Sequence, residues 1–307
     1  MRVSKKTKVL LLTFLVMIFW GSIFPCIKVG YKAFEIDTSS TASILLFAGI
    51  RFLACGAVIL IMAKLKGESV NTNIKSSIGP ILLTGFFAVV MHYAFTYIGL
   101  SVTESSKTAL FKQLGVLIYI CFAFLFVKEE NFSVKKIIGG LIGFLGIATM
   151  NFSGGKLSFS IGEILIFLAS ICTVISNLTG KRALKNNSSL IVTGISQLFG
   201  GLVLTVTGFI FGADIGKITP FSAFVFIYIC IASIIGYCLW YMIVSREVLS
   251  GLFLIKFAEP VFAGIFGWLI LGENIFNLRY LMAVVLIGSG IFIGSYEPTG
   301  RKDYEKN

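Results

Sequence analysis

YIGLSVTESSKTALFKQLGVLIYICFAFLFVKEE, residues 97–130, returns in altered form as YMIVSREVLSGLFLIKFAEPVFAGIFGWLILGEN, residues 241–274. The correspondence is ungapped at an offset of 144 and extends to Ile147 and Ile291, with 11 of 51 positions identical. Shared apolar composition accounts for matches such as Leu110/Leu254, Phe122/Phe266 and Leu125/Leu269. It does not readily account for a lysine and a glutamate in register, Lys112/Lys256 and Glu129/Glu273. Internal repeats of hydrophobic spans are characteristic of secondary transporters.

The rest of the chain has the same texture. Mean hydropathy is +0.95, and 57% of the 307 residues are hydrophobic against 13% charged. Soluble domains carry about a quarter charged residues, so the sequence predicts an all-α integral membrane protein. A bilayer core takes about 20 apolar residues per helix. Ten stretches meet that length approximately: 9–30, 40–63, 78–99, 105–127, 135–151, 161–180, 190–211, 221–244, 250–271 and 279–295. They are solidly apolar rather than alternating, which excludes the strands of a β-barrel.

A formal net charge of +12 would suit nucleic acid, but its placement argues for topology instead. With the amino terminus cytoplasmic, 17 of the lysines and arginines fall in cytoplasmic segments and six on the other face: Lys28, Lys32, Lys107, Lys156, Lys217 and Arg279. Arg51, Lys112 and Lys256 lie inside spans. This positive-inside bias predicts a multi-pass protein of the cytoplasmic membrane with both termini cytoplasmic, in contact with lipid and not with nucleic acid. The opening MRVSKKTKVLLLTFLVMIFW resembles a signal peptide, but no small-residue cleavage site follows it. It is read as a retained first span. Six scattered cysteines show neither ligand spacing nor a disulfide framework, so no metal or cofactor is expected.

The Gly/Ser-rich segment FSGGKLSFS, 152–160, divides the chain into 1–151 and 161–295, leaving 296–307 as a cytoplasmic tail. Each half carries five spans. Five is odd, so the second copy enters the membrane from the opposite side, giving two inverted five-helix repeats. Spans 5 and 10 carry glycines at helical spacing, Gly139–Gly146 and Gly288–Gly294. Such stripes serve either packing within one protomer or a dimer face, so both a monomer and a homodimer are consistent with them.

Several short motifs fall in order within this frame: Trp20-Gly21-Ser22 with Lys28 in span 1, Arg51-Phe52 in span 2, Gly162-Glu163 opening span 6, Glu259-Pro260 in span 9, and Leu271-Gly272-Glu273 closing it. Together they make nearly the whole chain, roughly 10–295, resemble the EamA-type permeases of the drug/metabolite transporter superfamily. The resemblance implies ten helices, inverted repeats and a central cavity lined mainly by spans 1, 3, 4, 6, 8 and 9. One departure stands out: the first half has Gly115-Val116 where the second has Glu259-Pro260.

Charges inside spans are expensive and mark pathways by default. Lys112 and Lys256 are therefore the leading substrate-binding candidates. Each also lies within six or seven residues of a span end, where its stem allows snorkelling to the interface. Glu259 shares a helix face with Lys256 at a spacing of three residues. It either neutralises that lysine or titrates as a coupling group, and Pro260 after it removes a backbone donor. His92, the single histidine, is a proton carrier or a hydrogen-bonded core residue. Arg51, deepest of the charges, suits an anchor bonded to helix carbonyls better than a substrate contact. Trp20 and Tyr241, with Tyr97 and Trp240, offer stacking surfaces or belong to the aromatic belt. Asn177 matches Lys28 at an offset of 149 and joins the substrate-binding candidates.

No Walker loop or metal cluster points to an enzyme. The expectation is a permease that moves a small polar metabolite, amino acid-like or anionic, by alternating access with export favoured, drawing on a coupling proton or ion, on exchange, or on the substrate's own gradient. The rival reading is a drug or toxic-compound exporter with a wide aromatic cavity. A channel would need a continuous polar lining, and a non-transporting sensor an attached soluble domain.

Overall fold

A computed structural model describes residues 5–70, 74–101, 105–151 and 160–295. These residues form helices and turns, with no strand among them. The helices are α1 (Lys5–Ala33), α2 (Thr41–Leu65), α3 (Gly79–Gly85), α4 (His92–Ser101), α5 (Ser105–Phe122), α6 (Val134–Asn151), α7 (Ile161–Ala183), α8 (Ser189–Ile210), α9 (Pro220–Val244), α10 (Leu249–Lys256), α11 (Glu259–Leu271) and α12 (Leu278–Ser295). Among the described residues, eight segments are long and apolar enough to cross a bilayer: 7–33, 41–65, 76–99, 161–183, 189–210, 220–244, 249–271 and 278–295. A shorter apolar helical stretch covers Phe111–Leu125. The protein is a multi-pass membrane protein.

Helix boundaries follow local chemistry. Ser40 and Ser188 cap α2 and α8 with their hydroxyls. A Ser160–Glu163 capping box opens α7, with the Glu163 carboxylate accepting from the Ser160 amide at 2.9 Å. Thr219 caps α9 ahead of Pro220, which supplies no surplus amide. Gly272 ends α11 at φ 70°, a left-handed turn that a side chain would strain.

Two spans are not plain α-helices. Between α3 and α4 the chain widens into a π-helical turn, Phe86–Met91, that ends just before His92. Such turns often accompany functional sites. The ninth predicted span is broken at Phe257–Ala258. Pro260 has no N–H, so the donor that would meet the Lys256 carbonyl is missing, and Ala258 bonds back to Ile255 at 2.9 Å in a tightened turn.

In lipid, close packing rather than the hydrophobic effect holds helices together. The most extensive pairings are α2 with α8 and α6 with α12, followed by α1 with α9 and α11, and α7 with α5 and α4. Glycines carry the first two. A Cβ on Gly139 would strike the Gly290 carbonyl oxygen, and one on Gly290 would lie 2.7 Å from the Gly143 nitrogen. Both glycine stripes are thus engaged with each other inside the chain. At one helix end a buried Glu130 ties three elements together. It accepts from the Tyr119 hydroxyl on α5 (3.2 Å) and the Ser250 amide at the start of α10 (2.9 Å), with Lys136 of α6 at 3.8 Å.

Candidate functional site

The break between α10 and α11 places Lys256 and Glu259 on one side of the ninth predicted span. Lys256 Nζ lies 3.5 Å from Glu259 Oε2 and is shared with two indoles, 4.6 Å over the Trp20 ring of α1 and 5.6 Å over the Trp240 ring of α9. The two indole centroids are 5.2 Å apart, and Trp20 keeps the same distance from Tyr237. A cation over an indole face is stabilised by the ring quadrupole, more so away from water. The Lys256 and Glu259 side chains are only 14% and 9% exposed. Lys256 therefore turns inward to an aromatic box rather than outward along its stem.

A polar relay positions the box. Trp240 Nε1 donates to Asn177 Oδ1 of α7 at 2.7 Å, and Asn177 Nδ2 donates to the Thr173 carbonyl at 2.8 Å. Phe253 lies parallel to Trp240, its centroid 6.5 Å away. These contacts fix the Trp240 ring plane and therefore the face it offers to Lys256.

Lys112 reaches the region from α5. Its ammonium lies 4.5 Å over the Phe24 ring of α1, within electrostatic range of both Glu259 and Lys256. His92 sits against α7, with Nδ1 3.0 Å from the Ala169 carbonyl and 3.2 Å from Thr173 Oγ1. A carbonyl only accepts, so Nδ1 carries the proton and Nε2 remains an acceptor. The imidazole is also within electrostatic range of both lysines.

Two candidates stand elsewhere. Arg51, 2% exposed, donates from Nη2 to the Tyr93 hydroxyl at 3.1 Å and lies 4.4 Å from the Phe52 centroid. It is bonded to a phenol rather than to the helix carbonyls expected of it, and among the described residues its Nε has no hydrogen-bond partner. Tyr241 is buried with its ring on Gly180 of α7, where a Cβ would come within 3.3 Å of three ring atoms. Trp240, one residue earlier, is the aromatic that meets Lys256.

The arrangement thus gathers Lys112, Lys256, Trp20, Asn177, Glu259 and His92 from six helices into one neighbourhood. Its charge is unbalanced. Lys256 pairs with the carboxylate of Glu259, and among the described residues Lys112 forms no ion pair of its own. Unpaired buried charge is costly, and an anionic group entering the box would lower that cost through charge-assisted hydrogen bonds. The indole and phenol faces would take up a flat or apolar body. Trp240 and Phe253 were the residues hardest to read from sequence. Their signal was only aromatic type, in a chain with 30 phenylalanines.

Comparison with known proteins agrees with this architecture. The EamA-like transporter family matches residues 7–152 and again 160–296. The uncharacterized inner membrane transporter YedA of Escherichia coli (strain K12) is 26% identical over 296 residues, covering 93% of this chain and 92% of its own. The uncharacterized transporter YoaV of Bacillus subtilis (strain 168) is 26% identical over 310 residues, covering 96% and 99%. A solved crystal structure superposes with a TM-score of 0.75 at 15% identity, covering 94% of this chain and 96% of that one, which speaks to the fold alone. With both halves matched, the chain belongs to the EamA-like transporter family.

Proposed function

We propose that the protein is a secondary transporter that moves a small anionic or amino acid-like metabolite across the cytoplasmic membrane by alternating access, in the export direction. The observation that carries this reading is the charge imbalance of the central box, where Lys256 meets one carboxylate and two indoles while its repeat match Lys112 lies over a phenyl ring with no ion pair among the described residues. Glu259 and His92 are the groups proposed to couple transport to protons.

In this reading ten segments span the bilayer as two inverted five-helix repeats, with α3 and α4 forming the third span and α10 and α11 the ninth. Both termini are cytoplasmic, and the carrier works as a monomer or homodimer. The packing supports the repeat. Exchanging spans 1–5 with spans 6–10 turns the α1·α9 pair into α7·α4 and the α1·α11 pair into α7·α5, while α2·α8 and α6·α12 become themselves. A pseudo-twofold axis relating the two halves would give that pattern, and in the proposed inverted repeat it lies in the membrane plane.

The test is binding of amino acids and small carboxylates to purified protein, read by thermal shift, with decarboxylated analogues as controls. Stabilisation by the carboxylates and not by the analogues is expected, and Lys256→Met abolishes most of it. Stabilisation by aromatic cations alone would overturn this reading and favour drug efflux, for which the dense aromatic lining of Trp20, Trp240, Tyr237 and Phe253 is the supporting observation.

A further inference from the structure

Glu129 and Glu273 are identical residues at matched places in the two halves, and the central box uses neither. Glu273 follows the left-handed turn at Gly272, bonds its amide back to the Gly267 carbonyl, and lays its carboxylate on Gly267, where a Cβ would displace it. From there it receives Lys28 Nζ of α1 at 2.8 Å. Glu129, beyond α5, lies 4.0 Å from Lys185, just after α7. The exchange of halves that maps α5 onto α10–α11 and α7 onto α1 maps one helix pair onto the other, although residue by residue Lys28 is matched by Asn177 and not by Lys185. Each glutamate faces a lysine at the end of the first helix of the opposite half.

The two pairs stand at opposite mouths. Leu249, at the start of α10, lines a cavity of about 330 Å³ together with Glu129, Lys185 and Leu178. Glu273 follows the far end of the same broken span. From the cavity, Tyr119 meets Phe253 edge-on at 5.1 Å, and Phe253 stacks on Trp240 of the box. One mouth is therefore held by a short ion pair, while at the other the pair is longer and a cavity lies beside it.

We propose that Glu129 and Glu273 are the gate residues of the transport cycle, each closing one mouth by pairing with the lysine of the opposite half, Lys185 or Lys28. The structure is then the state shut at Lys28–Glu273 and loosened at Glu129–Lys185. This assignment rests on the alternating-access reading above. All four side chains are 46–67% exposed, and exposed pairs are weak and screened by salt. A gate that must break in every cycle requires that weakness.

Accessibility of two positions tests the assignment in otherwise cysteine-free protein. Leu178→Cys lines the cavity, and Phe24→Cys, 40% exposed, lies one turn before Lys28. Alkylation by a membrane-impermeant maleimide is timed in right-side-out and inverted vesicles. Glu273→Gln is expected to speed labelling at position 24 and slow it at 178 by about two- to fivefold, the range set by an exposed ion pair. Glu129→Gln is expected to do the reverse, and the exchanged pair Lys28→Glu/Glu273→Lys to restore the original rates. Labelling untouched by Glu273→Gln, or an exchange that fails to restore it, overturns the gate assignment. Wild-type rates at the two positions that trade against each other on warming, while both Gln variants leave them unmoved, confine that failure to the gates. Rates fixed at both positions under all conditions reject alternating access as well.

Discussion

The two halves carry the same lysine in different surroundings. In the second half Lys256 ends a helix, Pro260 breaks the span, and Glu259 supplies a counter-charge at 3.5 Å. In the first half Lys112 lies within the uninterrupted α5, over a phenyl ring. The position matching Glu259 is Gly115, whose amide donates to Ser170 Oγ of α7 at 3.0 Å and where a Cβ would lie 2.9 Å from the Ser170 carbonyl carbon. No carboxylate fits there. The repeat supplies two cations, but the helix crossing admits only one acid, so the asymmetry on which the anion proposal rests follows from packing.

The sharpest way to break this comparison is to remove the acid. Glu259→Gln leaves Lys256 without its counter-charge, and losing one partner of a buried pair costs about 3–5 kcal/mol. A large fall in the unfolding temperature of detergent-solubilised protein is expected, with recovery in Lys256→Met/Glu259→Gln. An unchanged unfolding temperature for the single variant would show that water already neutralises the site.

Next comes the contrast between the lysines. A charge-assisted hydrogen bond contributes about 1.5–3 kcal/mol. Lys256→Met is therefore expected to weaken substrate affinity by roughly tenfold to a hundredfold. Lys112→Met is expected to weaken it less, because only Lys256 is oriented by two indoles and a carboxylate. Wild-type affinity in both variants would return the lysines to a snorkelling role.

Pro260→Ala restores a backbone donor and makes the ninth span resemble its partner α5. The expected result is a transport rate several-fold lower at unchanged affinity, measured as counterflow in proteoliposomes, because the break serves motion rather than binding. A loss of affinity with an unchanged rate would assign the break to the binding geometry.

The smallest effect concerns the helix ends. Gly272 holds φ 70°, whereas its counterpart Lys128 follows a 3₁₀ turn, Ala123–Leu125. Gly272→Ala is expected to lower stability by about 1 kcal/mol, and Lys128→Ala to leave it unchanged, both read by thermal unfolding.

Much of this frame was legible because the repeat carries charges. Lys112, Lys256 and Glu259 were found by register and by helical spacing, rules that need no tertiary knowledge. The aromatic partners were not. Successive helical residues point about 100° apart, so sequence alone could not say which of Trp240 and Tyr241 turns toward Lys256. The structure puts Trp240 there and Tyr241 on Gly180. Arg51 was read as the deepest of the charges, but its phenolic partner Tyr93 lies 42 residues away on another helix. The π-helical turn before His92 left no mark in an apolar run, since it changes backbone bonding and not composition. Glu130 was missed because it follows Lys128 and Glu129, and a charged run after an apolar one reads as a solvated loop.

That buried carboxylate also sets an order of events during biosynthesis. Tyr119 and Lys136 are near it in the chain, but the Ser250 amide and hydroxyl that complete its shell come 120 residues later. While the first half threads into the bilayer, Glu130 must keep its water. It can be dehydrated only when α10 arrives, so this corner of the protein is among the last to set. A nascent chain truncated before Ser250 would leave Glu130 open to solvent, which makes it a natural reporter for the moment at which the two halves join.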